Sequence, residues 1–382
     1  MTLPLDTAST PQHPDFASKF PNTCRVYSEG VVAGQQRGLQ LWVSLKGEVR
    51  ANFALGEARD GVPMLHNTIM PWRSCSKPIA AIAMAQLWEK GALKLDQPVA
   101  DFIPDFEMGG KAGITIRHIL THTAGIRHVA FDDPMGDWDT IIRRIAEVTL
   151  EPDWRPGRRA AYHVRSSWFL LGEIVRVIDG RSFEQYIRDE IFLPLGMDDC
   201  YIGMSDEEFD AKESRIGILW DTSHQPPRPD PFFSGEAVTL SSPGSSGHGP
   251  MEQLGRLYEA LRRGGELDGT RILLPQTVEA ITVRHRVGLQ DETFMHGMDW
   301  GLGFIINSNR HGADTVPYGF GRLASPRTFG HGGSQSSSSF TDPDVGLSVA
   351  VVFNGTPGDA RHSRRIRNFA TALYEDMKIS GL

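Results

Sequence analysis

Residues 74–99 read SCSKPIAAIAMAQLWEKGALKLDQPV, and the rest of the chain is read outward from them. Ile79, Ile82, Ala83 and Leu87 recur at helical spacing, and Gly91 supplies a stop. The pattern predicts a helix from Ser76 onward, with Ser74 at or just inside its start, among backbone N–H groups that have no helical partner. Ser74-Cys75-Ser76-Lys77 fits S-x-x-K, and residues three apart on a helix share a face. A serine hydroxyl is a poor nucleophile until a neighbouring base takes its proton. Lysine can be that base only where burial or nearby cations lower its pKa enough to leave the amine neutral. On these residues alone, a serine cap followed by an exposed lysine is an equal alternative.

Toward the N-terminus, the apolar runs Leu39–Leu45 and Val49–Leu55 flank a Lys-Gly-Glu turn and predict a β-hairpin. Toward the C-terminus the middle of the chain is helical. A helix is expected over Thr115–Thr123, stopped at Gly125. Another runs over Ser166–Ile178, with Trp168, Leu171, Val175 and Ile178 on one face, and a third begins near Phe183. A Gly/Ser-rich loop, SSPGSSGHGP (241–250), precedes a helix over Met251–Arg263. Strand signals then return in Trp300–Ile306 and in GLSVAVVF (346–353), before a last helix over Asp359–Met377. Strands at both ends with helices between them predict one sheet built from both termini, carrying a helical insertion.

Two further stretches carry candidate chemistry. Pro156-Gly157 is followed by Tyr162-His163-Val164, just ahead of a predicted helix. A tyrosine beside a lysine ammonium can be held as phenolate, and can pass a proton between nucleophile and leaving group. Phe329-Gly330-His331-Gly332-Gly333-Ser334 opens a strand with small residues, which lets a substrate approach the backbone and pair an amide or ester along the edge. Either stretch could also be plain structure: a half-buried tyrosine at a helix entry and a glycine-rich turn.

Composition narrows the classes. The chain has 382 residues, enough for two or three domain-sized units, with 40% apolar and 23% charged residues. A net charge of -8 and scattered arginines argue against nucleic acid or an anionic membrane as partner. Cys24, Cys75 and Cys200 are too few and too scattered for a disulfide framework or a cysteine zinc site. The first twenty residues lack the basic start and apolar block of an export signal, so residues 1–16 are expected to be a polar arm and the protein cytoplasmic.

The order of the motifs is more telling than any one of them. S-x-x-K on a first helix, PG-x4-Y before a later one, and H-G-G-S leading into a strand resemble the serine β-lactamase and penicillin-binding-protein family. The likeness is to the branch of class C β-lactamases and their related esterases and transacylases. ITIRHILTHTAGI, WFLLGEIVRVIDGRSFEQYIRDEIFLPLGM and DPDVGLSVAVVFNG are similar to that family's pattern, over about residues 30–376. The resemblance implies an α/β fold: an antiparallel sheet formed by both termini and flanked by helices, with an inserted all-helical domain. The expected divisions are 17–75 with 285–382 for the α/β part and 76–284 for the mainly helical part, with the site in the cleft between them. It implies Ser74 as the acylated nucleophile, Lys77 as its proton acceptor and Tyr162 as the base that also serves the leaving group. It implies an oxyanion hole from the backbone N–H groups of Ser74 and Ser334, with His331, Gly332, Gly333 and His163 lining the substrate site. No cofactor or metal is implied. The partners are a small ester or amide acyl donor and, for transfer, an amine or alcohol acceptor.

Two departures shape the substrate reading. Tyr162-His163-Val164 replaces the Tyr-Ser-Asn of the family's lactamases, and a valine side chain can neither donate to an acyl amide nor hold the lysine. His331-Gly332-Gly333 replaces Lys-Thr-Gly, and an imidazole is a weaker anchor for a substrate carboxylate than an ammonium. Esterase or transacylase activity is therefore expected ahead of β-lactam hydrolysis or D-amino-acid peptidase activity. A penicillin-recognising fold that only binds ligand is the non-enzymatic alternative. His118 and His122, four apart with His128 beyond, could suggest zinc, but no H-E-x-x-H is present. No G-x-S-x-G elbow supports an α/β-hydrolase.

Overall fold

The apolar run near the C-terminus becomes the strand Leu347–Phe353, buried along its whole length. Its side chains alternate: Val349, Val351 and Phe353 enter one core and Ala350 and Val352 the other. A strand covered on both faces has no reason to alternate apolar with polar, which is why the sequence reads as a continuous apolar run. The computed structural model describes residues 14–129, 136–230 and 235–379.

Among the described residues eight strands form the main sheet: β1 (Gly38–Leu45), β2 (Glu48–Arg59), β3 (Val62–Pro63), β4 (Asp299–Trp300), β5 (Ile305–Ile306), β6 (Phe329–Gly332), β7 (Ser337–Asp342) and β8 (Leu347–Phe353). Their spatial order is β4-β5-β6-β7-β8-β1-β2-β3, so the C-terminal strands meet the N-terminal hairpin at β8–β1, with Leu41 opposite Val351. The pairings are antiparallel throughout. The expected α/β architecture is present, with strands from the N-terminal and C-terminal parts of the chain in one sheet. Trp300–Ile306 is a tight hairpin rather than one strand, because the chain reverses through Gly303 at φ +82°.

One face of the sheet is covered by helices Pro21–Val32 and Asp359–Asp376 through Tyr27, Phe369 and Tyr374. The other carries helix Met251–Arg262, where Trp42 lies against Gly255: a Cβ there would sit 2.2 Å from the indole. That helix, grouped with the helical segment in the sequence reading, therefore packs on the sheet. The expected polar arm at 1–16 lies outside the described residues up to 13; Pro14–Lys19 is helical and buries Phe16. Helix Lys77–Glu89 is buried on every side from Lys77 to Leu87, beside Ser166–Asp179.

The helix expected over Thr115–Thr123 spans only Ile116–Leu120. The chain then turns through His122 at φ +56°, so His118 and His122 do not share a helical face. No helix among the described residues is long and apolar enough to cross a membrane.

Candidate active site

Ser74 lies on a single 3-10 turn, Ser74–Ser76, that runs directly into helix Lys77–Glu89. The chain enters this turn through Arg73 at φ +53°, ψ -130°, a backbone region that side-chain-bearing residues avoid. An ion pair with Asp230 holds Arg73 there. The glycine-rich strand end presses against the same turn: a Cβ on Gly333 would lie 2.1 Å from Ser337 Oγ and 2.3 Å from the Trp72 carbonyl. Gly333 is thus what allows the end of β6 to reach the serine.

Lys77 is fully buried. Its Nζ lies 2.9 Å from the carbonyl of Val164, 2.9 Å from that of Gly244 and 3.1 Å from Ser74 Oγ. Burial, reinforced by the charge of Arg165, holds its pKa well below the usual lysine range. A neutral amine has two N–H bonds and one lone pair. The two carbonyls accept the two N–H bonds, which leaves the lone pair for the serine hydroxyl proton. The valine that cannot hold the lysine through its side chain does so through its main-chain carbonyl.

Tyr162 is fixed from behind. Its N–H donates to Asp291 Oδ1 at 3.1 Å, and Thr293 Oγ1 donates to its carbonyl. Asp291 is itself fully buried against Arg286 at 3.0 Å. Burial pushes the phenol well above its ordinary value, with hydrogen bonding to Ser74 opposing. Burial disfavours the phenolate and the ammonium alike, since neither charge is solvated.

Ser74, Tyr162, Val164, His331, Gly332 and Ser334 line one cleft of about 350 Å³. His331 is buried on β6 with Nδ1 2.7 Å from the Gly332 carbonyl, and desolvation depresses its pKa to about 3. It is a neutral wall of the cleft, unable to anchor a carboxylate by charge. His163, expected to line the substrate site, does not. It is fully buried, its Nε2 accepts the Ile126 N–H at 3.0 Å, and burial lowers its pKa to about 3. The main chain turns its ring into the protein while Val164 next to it faces the cleft. Gly333 also stays behind the cleft wall, its N–H donated to the Ser337 carbonyl.

Sequence reading missed the carbonyls of Val164 and Gly244, the Asp291 anchor, and the cleft residues Phe294, Tyr318 and Asp359. The run of small residues at SSPGSSG was the one local signal for Gly244. The others reach the site from distant segments.

Comparison with known proteins agrees with the geometry. A sequence profile described as Beta-lactamase matches residues 25–373. The chain belongs to the beta-lactamase family. Within that family it is 27% identical over 369 residues to the esterase/beta-lactamase LipL of Mycobacterium tuberculosis, covering 89% of this chain and 79% of that one. It is 27% identical over 377 residues to the esterase EstB of Burkholderia gladioli, covering 89% and 91%. A solved penicillin-binding protein homologue from Caulobacter crescentus superposes with a TM-score of 0.77 at 29% identity, covering 94% of this chain and 97% of that one.

Proposed function

We propose that this beta-lactamase-family protein is a serine hydrolase or acyltransferase acting on small esters through a covalent acyl-Ser74. The observation that carries this reading is the buried Lys77 amine, held by two carbonyls with its remaining valence toward Ser74 Oγ. Ser74 Oγ attacks the acyl carbonyl as its proton passes to Lys77 Nζ. Collapse of the tetrahedral intermediate breaks the bond to the leaving oxygen. That oxygen takes a proton from the Tyr162 hydroxyl, which Lys77 in turn resupplies. Water, an alcohol or an amine then attacks the acyl carbon, gives up its proton along the same path, and frees Ser74. Backbone N–H groups of Ser74 and Ser334 are assigned to the oxyanion, each worth about 3 kcal/mol in this role.

Ester chemistry is favoured over β-lactam or D-amino-acid peptide chemistry because, among the described residues, no lysine or arginine lines the cleft and Val164 replaces an amide there. The name of the esterase EstB points the same way, while that of LipL carries both activities. A cytoplasmic setting is part of the proposal, supported by three buried, unpaired cysteines. The test is a panel of aryl esters assayed with and without amine and alcohol acceptors, alongside a chromogenic cephalosporin. Ester turnover that Ser74→Ala abolishes is expected. Cephalosporin turnover exceeding that of every ester would overturn the preference, and no Ser74-dependent turnover would overturn the mechanism.

A further inference from the structure

The mouth of the cleft has a chemistry that acyl transfer itself does not require. Among the described residues lining it, Asp359 is the one carboxylate and there is no lysine or arginine, while His331 is held neutral by burial. Asp359 opens helix Asp359–Asp376 and is exposed to solvent. Ser363, one helical turn on, shares its face and lines the same cleft. Arg361 and Arg364, two and five residues on, project from other faces of the helix and do not line the cleft. Among the described residues Asp359 makes no ion pair; its Oδ1 accepts the Tyr318 hydroxyl at 3.0 Å.

Two aromatic rings line the same cleft, and one of them, Tyr318, hydrogen-bonds the carboxylate. Phe294 and Tyr318 have centroids 5.8 Å apart at 56°, and Phe294 in turn lies 4.9 Å from Tyr162. The rings therefore run from the reacting end of the cleft to its mouth. Tyr318 is held firmly: its backbone has φ +53°, and a Cβ on Gly332 would come within 2.6 Å of its ring. A strained residue seated on a glycine is a preorganised wall. Tilted aromatic faces in one cleft with a carboxylate that has no cationic partner among the described residues are surroundings that attract an organic cation, and the carboxylate repels another.

We propose that this mouth is a binding subsite for an ammonium group carried by the substrate, lying between the Phe294 and Tyr318 rings and the Asp359 carboxylate. The proposal rests on the acyl-Ser74 reading and names the substrate class for it: esters, or acyl acceptors, that bear an ammonium group near the reacting carbon.

The test compares nitrophenyl esters matched in length: trimethylammoniobutanoate, its uncharged dimethylhexanoate isostere, and glutarate. A second arm supplies a neutral acyl ester with choline or with its uncharged isostere dimethylbutanol as acceptor, and reads the partition of products. The first arm reports an ammonium on the donor and the second an ammonium on the acceptor. In at least one arm the cationic compound is expected to be favoured by about tenfold, with the preference shrinking as salt is raised. Asp359→Asn reduces the ratio to about twofold or less, and Asp359→Lys turns the preference toward glutarate. Asp105→Asn removes the same charge outside the cleft and leaves the ratio in place. A ratio near one in both arms, or a ratio that survives Asp359→Asn, overturns the subsite. Absence of turnover for the neutral ester is instead a failure of the acyl-enzyme reading. In that event calorimetric titration of choline against dimethylbutanol reads the same ratio as binding, with the same outcomes deciding.

Discussion

Two lysines in this protein are fully buried, and their surroundings differ in what they can do with a proton. Lys111 lies near the carbonyls of Met108 at 2.5 Å, Ala146 at 3.0 Å, and Val148. All three of its partners can only accept, so each ammonium proton has a place and the charge is held. Lys77 has two carbonyls and, in third place, the Ser74 hydroxyl. A hydroxyl can give as well as accept, so the neutral amine is as well bonded as the ammonium. Burial then favours the neutral form. It lowers both pKa values, and it takes that of Lys77 well below the usual range. In the proposed mechanism it is the chemistry of its last partner, and not burial alone, that makes Lys77 a base.

Exchanging each lysine for methionine separates the two roles. Lys77→Met is expected to lower kcat/KM by about 10³-fold while the protein stays folded. Lys111→Met leaves carbonyls without donors and is expected to cost about 2 kcal/mol of stability in urea unfolding, with kcat per folded molecule within about twofold. Equal loss of activity in the two variants would dissolve the distinction.

The surroundings of Lys77 also predict acid sensitivity. His163 and His331 are buried neutral, each with its pKa lowered to about 3. A histidine with a lowered folded pKa stabilises the fold above its unfolded value, and that stability is lost as pH falls toward the folded one. Below about pH 6.5, each unit removes up to about 1.4 kcal/mol per imidazole. Thermal melts at about pH 7 and about pH 5 should show a clear drop in Tm, and a flat Tm would contradict neutral burial. Smaller again is Tyr162→Phe, expected to slow turnover by about 10²-fold, most of all for poor leaving groups that need its proton. Smallest is Val164→Asn. Because the main-chain carbonyl holds Lys77, ester turnover should change by no more than about threefold, and a collapse would mean that the valine side chain matters.

The same contrast explains what could be read from the chain alone. Ser74 and Lys77 are a local spacing on one turn, and Tyr162 precedes a strongly patterned helix; such signals are written in consecutive residues. The β1–β2 hairpin and β8 were legible for the same reason. The groups that separate Lys77 from Lys111 are main-chain carbonyls, which no sequence pattern marks. His163 was misplaced because one residue's difference in direction decides whether a side chain faces the cleft or the interior. Phe294, Tyr318 and Asp359 come together only through tertiary folding.

The central claim is that Ser74 is activated by a neutral Lys77. It is tested most directly by the rate at which a fluorophosphonate labels Ser74, followed by intact mass across about pH 5 to 10. One adduct at Ser74 is expected, its rate rising with an apparent pKa far below the ordinary lysine value of about 10.4 and vanishing in Lys77→Met. A midpoint near that ordinary value, or undiminished labelling without Lys77, would contradict it.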